Sequence, residues 1–468
     1  MPLIGTFKNN LSDILISSRI GLEETVIIFN CLAIKDQINK RFHIIAGLLV
    51  NCKMRLSLSI VLLLAFACAN ATRKSYSCYK VIRTDVLSKE TIKGVAPLQH
   101  RPEFNFWSQP MVGRAVEIMV APQHEALLTG ILRRMKLNPT VIIEDVGREE
   151  QLERDYIAQI KSQKKSSREV TFDNFMTFDE IQAYLAELVV TYPDLASLIQ
   201  IGTSTGGRPL NVLKISNGPG KKALFTDAAI HAREWITPPV ALKIAFELLE
   251  NYNINQGLVD LLDWYILPVA NPDGYVYSWE SDRYWRKTRS VNPGSSCIGT
   301  DPNRNFDFHW GEEGVTDPCG ETWPNTRPFS EPETAAMSVF INNTLEITTY
   351  IALHSYGQLL IFPYGHTTEL PPTFDELNGH ALEAAAALEA VSGTVYEIGT
   401  VANVLYYSYG ACRDWAYGAA GLPLSYTFEL PSNGFGFSPP PTDIIPVVTE
   451  TWEAIKVLAV AAAGAVRP

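Results

Sequence analysis

"AAIHAREWITPPV", residues 228–240, sets a histidine, an arginine and a glutamate within four positions, His231 to Glu234, with apolar residues on both sides. The run leading into it, "KALFTDAAI" (222–230), has the length and apolar content of a buried strand. His231 and Glu234 therefore stand at the C-terminal end of a strand, where α/β folds place ligands. Burying such groups without partners would cost several kcal/mol, roughly 2–7 for a polar group and more for a charge. An ion is one answer. An imidazole and a carboxylate three residues apart can converge on a single metal, and zinc takes N/O sets of this kind, with three protein ligands and one open position at a catalytic site. H-x-x-E alone is a weak signal. A third donor is expected at another strand end, and "TYIALHSY" (349–356) supplies His354 after an apolar run.

Outward from these two motifs, short apolar runs alternate with helical patterns. "NVLKI" (211–215), "WYILPVA" (264–270), "LLIFPY" (359–364) and "LSYTFEL" (424–430) read as strands. "TFDEIQAYLAELVVTYP" (177–193) reads as a helix opened by a Thr177/Glu180 capping box. Residues 331–344, 373–390 and 442–463 also carry helical patterns. Buried strands alternating with helices imply an α/β sheet flanked by helices.

The 468-residue length suits two domains, and 46% hydrophobic with 19% charged residues is an ordinary globular balance. Charge is unevenly spread. From Glu169 to the end, 35 Asp+Glu face 15 Lys+Arg, a net −20, which leaves +9 in the first 168 residues. The acidic part would repel phosphates, and no basic stripe exists, so no nucleic-acid partner is expected.

"MRLSLSIVLLLAFACANA" (54–71) has the cationic start, apolar run and small-residue exit of a secretory signal. Residues 1–53 before it read as a spurious upstream extension. No later apolar run reaches the ~18–20 residues of a membrane span, so no membrane partner is expected. In residues 72–168, "AVEIMVA" (115–121) and "TVIIEDV" (140–146) read as strands and "HEALLTGILRRM" (124–135) as a helix. In the charged stretch 148–170 the basic end, Lys164–Arg168, reads as an exposed linker that suits a protease, the alternative being a solvated helix with a polar tail. Cys297 and Cys319 bracket a Gly/Pro/Asn-rich loop and form the natural disulfide pair, leaving Cys78 and Cys412. No C-x-x-C occurs, and a serine-type esterase has no placed triad.

"IHAREW", "NPDGY", "RYWRKTRS", "DPNRNFD", "LHSYGQLLIFPYG" and "YTFEL" occur in that order between about Phe175 and Trp452. In these motifs the chain resembles the zinc metallocarboxypeptidases of the pancreatic A/B type. More loosely, residues 72–168 resemble the activation segment of that family's zymogens. The resemblance implies a mixed, eight-stranded twisted sheet for a catalytic domain at 169–468, behind a small α+β activation domain with its linker at 72–168. It also implies secretion as an inactive monomeric precursor, into the gut lumen, awaiting a trypsin-like protease. By the same resemblance His231, Glu234 and His354 hold one zinc ion, Glu429 is the general base, and Arg286 steadies the oxyanion. Asn303 and Arg304 hold the free C-terminal carboxylate of a peptide substrate. Tyr406, rather than Tyr407 or Tyr409, closes over it, and Arg233 contacts the substrate further out.

The residue before Asp414-Trp415 matches the floor of the side-chain pocket. A-type enzymes carry an aliphatic residue there and B-type enzymes an aspartate. Here it is Arg413, which makes the chain similar to carboxypeptidase O and other glutamate-preferring enzymes. A preference for C-terminal Glu, then Asp, follows from the charge. An A-type preference and an inactive peptide-binding relative are the alternatives.

Overall fold

The computed structural model describes residues 73–163 and 172–467. The upstream extension, the signal sequence and the basic run Lys164–Arg168 fall outside the described residues.

The first sheet is antiparallel and small. Strands β1 (Lys80–Arg83), β2 (Phe104–Phe106), β3 (Glu117–Val120) and β4 (Thr140–Ile143) lie in the order β2-β3-β1-β4. Helix α1 (Pro122–Arg134) joins β3 to β4, and its Leu128 and Leu132 pack on Ile82 and Ile118. One expectation needs correction, and one alternative is refined. The strand read over 140–146 stops at Ile143, because the Asp145 carboxylate accepts the Arg148 N–H and starts helix α2 (Val146–Gln163). Residues 148–163 take the helical alternative, as part of α2, but Glu150, Glu153 and Ile157 are buried in it rather than solvated. Its charges looked like a solvated face, but they have internal partners: Glu150 meets Arg73 and Arg154, and Glu153 meets Arg283.

The second sheet has eight strands: β5 (Ala196–Thr203), β6 (Pro209–Ile215), β7 (Ala223–Asp227), β8 (Asp263–Leu267), β9 (Ile347–Ser355), β10 (Leu359–Phe362), β11 (Glu397–Thr400) and β12 (Leu424–Leu430). Their order is β11-β10-β12-β9-β7-β8-β6-β5. The four at the centre, β12-β9-β7-β8, are parallel, while β6, β5 and β10 bring antiparallel pairings towards the edges. Every residue of β7, β8 and β9 is buried, which is why they read as unbroken apolar runs.

Helices cover both faces. On one, α3 (Phe178–Thr191), α4 (Thr237–Leu249), α8 (Phe374–Ser392) and α10 (Ile444–Gly464) pack on Leu224, Trp264 and Ile266. On the other, α7 (Pro332–Asn343) and α9 (Cys412–Gly418) pack on Phe225, Tyr265 and Leu267. Successive residues of one strand thus serve opposite cores. Helices α5 (Tyr252–Leu261) and α6 (Pro272–Glu280) flank β8 in sequence. The capping box at the start of α3 is present in both directions: Thr177 Oγ1 accepts the Glu180 N–H, and Glu180 Oε2 accepts the Thr177 N–H. Cys297 and Cys319 are disulfide-bonded, while Cys78 and Cys412 are free. Among the described residues no helix is long and apolar enough to cross a membrane.

Candidate active site

Three adjacent parallel strands end at one place. His231 and Glu234 follow β7, His354 is the penultimate residue of β9, and Glu429 is the penultimate residue of β12, directly opposite His354 in register. The turn after β7 is held from three sides. The Thr237 hydroxyl accepts the Ala229 N–H and donates to the Glu234 carbonyl. Asn271 donates to the Ile230 carbonyl, and Ala232 donates its N–H to the Arg286 carbonyl. Ala229 sits at φ 49°, a left-handed conformation costly for a residue with a Cβ.

The ligand atoms of His231, Glu234 and His354 all lie within 4.8 Å of one another, and all three residues are buried. His231 Nδ1 is 2.7 Å from Glu234 Oε1, and His354 Nδ1 is 3.2 Å from both His231 Nδ1 and Glu234 Oε2. Two ring nitrogens and two carboxylate oxygens crowded this closely around one point suit a small divalent cation, and the N/N/O donor set suits zinc. The far side of His231 fixes its orientation: Nε2 is 3.1 Å from Asp301 Oδ1. The other oxygen of Asp301 accepts Arg286 Nη2 at 2.8 Å, so one carboxylate positions a metal ligand and a cation together. Sequence reasoning did not single out Asp301. Its signal was its place as the first residue of the quoted "DPNRNFD".

The electrostatics follow from burial and neighbours. Burial alone would raise Glu234, but the pull of His231 and His354 holds it well below the usual carboxylate range. Burial pushes His354 down to about 4. Asp301 is likewise held low against burial, by Arg286 and His231. Glu429 goes the other way. It is partly exposed, but to a cavity roofed by residues between Arg83 and Glu117. Loss of bulk water, and then Glu234, push it well above the usual range, against the opposing pull of Arg413.

A cavity of about 480 Å³ opens over these groups. His231, Arg233, Glu234, Arg286, Asn303, His354, Tyr406, Arg413 and Glu429 all line it. Arg304 stands apart from that lining: it pairs with Glu313 at 3.2 Å and donates to the Asn303 carbonyl. Tyr407 is exposed and, like Tyr409, is not part of the wall. Arg413 is 4% exposed, and its Nη2 donates to Ser408 Oγ at 2.5 Å. Its Nε stands 3.4 Å from Asp414 Oδ1, close enough for charge pairing, yet neither atom has a hydrogen-bond partner.

The N-terminal antiparallel sheet and its loops supply the opposite wall, a feature sequence motifs did not reveal. Trp107 stacks on Tyr284 and meets the edge of Phe437. Glu117 accepts Arg83 and the Tyr356 hydroxyl, and Asn105 lies 3.4 Å from Arg233. One pattern proves structural. Gly202–Gly206 has G-x-S-x-G spacing, but it turns between strands β5 and β6 rather than into a helix, and Ser204 Oγ accepts the Arg208 N–H.

A buried His/Glu/His cluster at the ends of parallel strands, with a carboxylate and an arginine beside it, defines a metal-dependent hydrolase site. The sequence pattern of the zinc carboxypeptidase family matches residues 181–454, and that of the carboxypeptidase activation peptide matches residues 82–153. Carboxypeptidase A2 of Rattus norvegicus is 36% identical over 86% of this chain and 98% of its own length. Carboxypeptidase B of the same animal is 35% identical over the same shares. The crystal structure of carboxypeptidase A from Helicoverpa armigera superposes with a TM-score of 0.78 at 32% identity, covering 84% of this chain and 99% of that one. The chain belongs to the zinc carboxypeptidase family. It is a metallocarboxypeptidase with an activation-peptide region, a carboxypeptidase zymogen whose site accepts one zinc ion. Its near-equal likeness to A and B types leaves the side-chain preference to the pocket itself.

Proposed function

We propose that this zymogen is secreted, is activated by a trypsin-like protease cutting near Lys164–Arg168, and then removes C-terminal glutamate, and less readily aspartate, from peptides. A digestive role in the gut lumen, as a monomer, fits that chemistry. The observation that carries the preference is Arg413, a buried guanidinium lining the same cavity as the His231/Glu234/His354 cluster and Glu429.

Zinc held by His231, Glu234 and His354 would polarise the scissile carbonyl and activate water for attack. Glu429, lining the same cavity as the cluster, takes the proton from the attacking water and passes it to the leaving amine. Arg286, held by Asp301, offers its remaining donors to the developing oxyanion, an effect worth ~3–4 kcal/mol at comparable sites. Asn303 and Arg304 receive the terminal carboxylate, with Arg304 exchanging Glu313 for the substrate. Tyr406 covers the bound residue and Arg233 contacts the chain upstream. The side-chain carboxylate of the departing residue meets Arg413. A close, desolvated charge pair couples by ~1.5 kcal/mol or more, and each ~1.4 kcal/mol is tenfold.

The A-type reading draws on one contact, Asp414 beside Arg413: if that pair is closed in solution, the pocket is effectively neutral. Hydrolysis of peptides ending in Glu, Asp, Phe, Leu, Lys and Arg by the protease-treated protein decides between them. Faster release of Glu, measured as kcat/KM, is expected; faster release of Phe or Leu refutes the preference.

A further inference from the structure

We propose that Gly365 and Ser408 are positioning residues that seat the Arg413 guanidinium in the substrate pocket, so that the missing side chain at 365 is a condition for selecting an acidic residue. The inference rests on the glutamate reading above and deepens it.

Two loops are clamped together beside Arg413. Ser408 donates its N–H to the Gly365 carbonyl at 2.9 Å. The N–H groups of Gly365 and His366 both donate to Asp414 Oδ2, at 2.7 and 3.3 Å, which fastens their loop to the first turn of α9. The guanidinium occupies the crevice between them. Its Nη2 donates to the buried Ser408 hydroxyl. A Cβ on Gly365 would lie 2.5 Å from that Nη2 and 2.3 Å from Ser408 Oγ, far inside contact distance.

The glycine is needed for space and not for its backbone freedom, since Gly365 lies outside the left-handed region. The nearest backbone atom to an added Cβ, the Ser408 carbonyl oxygen, is 3.2 Å away. The sharpest clash therefore falls on two side-chain ends, with the Ser408 carbonyl oxygen yielding by a few tenths of an ångström, and circular dichroism of the alanine variant checks that its fold is kept. The longer and looser of the two ends is the guanidinium. Its Nε makes no hydrogen bond, and its tie to Asp414 is a 3.4 Å charge contact without hydrogen-bond geometry. Asp414 itself is already anchored by the two backbone N–H groups and cannot follow. A methyl at 365 thus displaces the cation from its seat, while Ser408→Ala removes the orienting acceptor and leaves the space.

The test is made on the activated enzyme with blocked dipeptides ending in Glu and in Phe. Gly365→Ala is expected to lower the Glu:Phe ratio of kcat/KM by about tenfold or more, chiefly through KM for Glu, and Ser408→Ala by less. In an Arg413→Ile background, Gly365→Ala is expected to change the ratio by less than about twofold, because no cation remains to be displaced. An unchanged ratio in the wild-type background, or an equal change in both backgrounds, overturns the inference; the latter would mean that the methyl acts on the substrate. A wild-type enzyme that favours Phe refutes the glutamate reading instead. In that event a crystal structure of Gly365→Ala decides the seating by itself: a guanidinium still within about 3 Å of Ser408 Oγ overturns it, and a displaced one upholds it.

Discussion

Replacing Glu153 with glutamine tests how the activation segment is held on the catalytic domain. Arg283 is fully buried, and the Glu153 side chain is 3% exposed. Both carboxylate oxygens are engaged, Oε2 with Arg283 Nε at 2.7 Å and Oε1 with Nη2 at 2.9 Å. The guanidinium donates further to the carbonyls of Arg233 and Phe437, and its face lies 3.8 Å from the Trp235 ring centre. Breaking a buried pair by removing one partner costs ~3–5 kcal/mol, because the other charge is left uncompensated. Glutamine keeps one acceptor, so the lower end, ~3 kcal/mol, applies. Once the segment departs, Arg283 faces water, so the loss falls on the interface. At ~1.4 kcal/mol per tenfold, the cleaved segment should be held on the order of a hundredfold less tightly. Before cleavage the tether keeps the segment at high local concentration, so the uncut variant stays largely inactive. The assay is cleavage of both zymogens, dilution, and the rate and extent of appearing activity. Activity should appear sooner and at lower dilution in the variant. Identical release at matched concentration, with unchanged circular dichroism, would refute the argument.

The remaining expectations concern metal, specificity, pH and the disulfide. His354→Ala leaves an incomplete ligand set, so zinc content and turnover should fall together; a variant retaining stoichiometric zinc and full turnover contradicts the assignment. Arg413→Ile should move preference towards aliphatic and aromatic ends and Arg413→Asp towards basic ones, and a variant that still releases Glu fastest shows that the guanidinium does not contact the substrate. Burial pushes the Glu333 carboxyl up to about 8, with Glu331 and Asp273 adding to it, against an ordinary value of 4.5. The folded state therefore keeps a proton that the unfolded chain releases. That contribution is fully present below pH 4.5 and is lost as pH rises through about 8. Glu333→Gln, neutral throughout, should gain on the wild type by on the order of 4 kcal/mol by pH 8.5. A melting-temperature difference that stays constant from pH 4.5 to 8.5 would contradict this. Replacing Cys297 and Cys319 with serine opens a loop of sequence separation 22 and should cost ~3 kcal/mol on the chain-entropy model, read by thermal unfolding.

The central strands were legible because burial on both faces demands continuous apolar sequence: "ALFTD", "WYIL" and "TYIALHS" can hardly be anything else. The edge strands β5 and β11 were not singled out, because their half-exposed residues blur the period. Their number came from the likeness of the motifs to a known family. Helix α2 was open to view only as a solvated helix, and its buried side was missed, because a charged residue looks the same in sequence whether it faces water or a buried partner such as Arg283.

The sequence by itself determined which chemistry was available: a His-x-x-Glu and a later histidine, each after an apolar run, together with the disulfide pair and the arginine before Asp414-Trp415. These are local facts, settled by residue type and by position relative to a strand. Tertiary structure alone decided what each group faces. Parallel pairing of β7, β9 and β12 brings His231, His354 and Glu429 to one end of the sheet, although they are far apart along the chain. Packing puts Asp301 between His231 and Arg286, lays Trp107 and Glu117 of the activation segment over the cavity, and leaves the crevice at Gly365 that the Arg413 guanidinium fills. Those outcomes depend on long-range contacts whose partners no local pattern names. Charge compensation and excluded volume act through space, between side chains that the fold alone brings within a few ångströms.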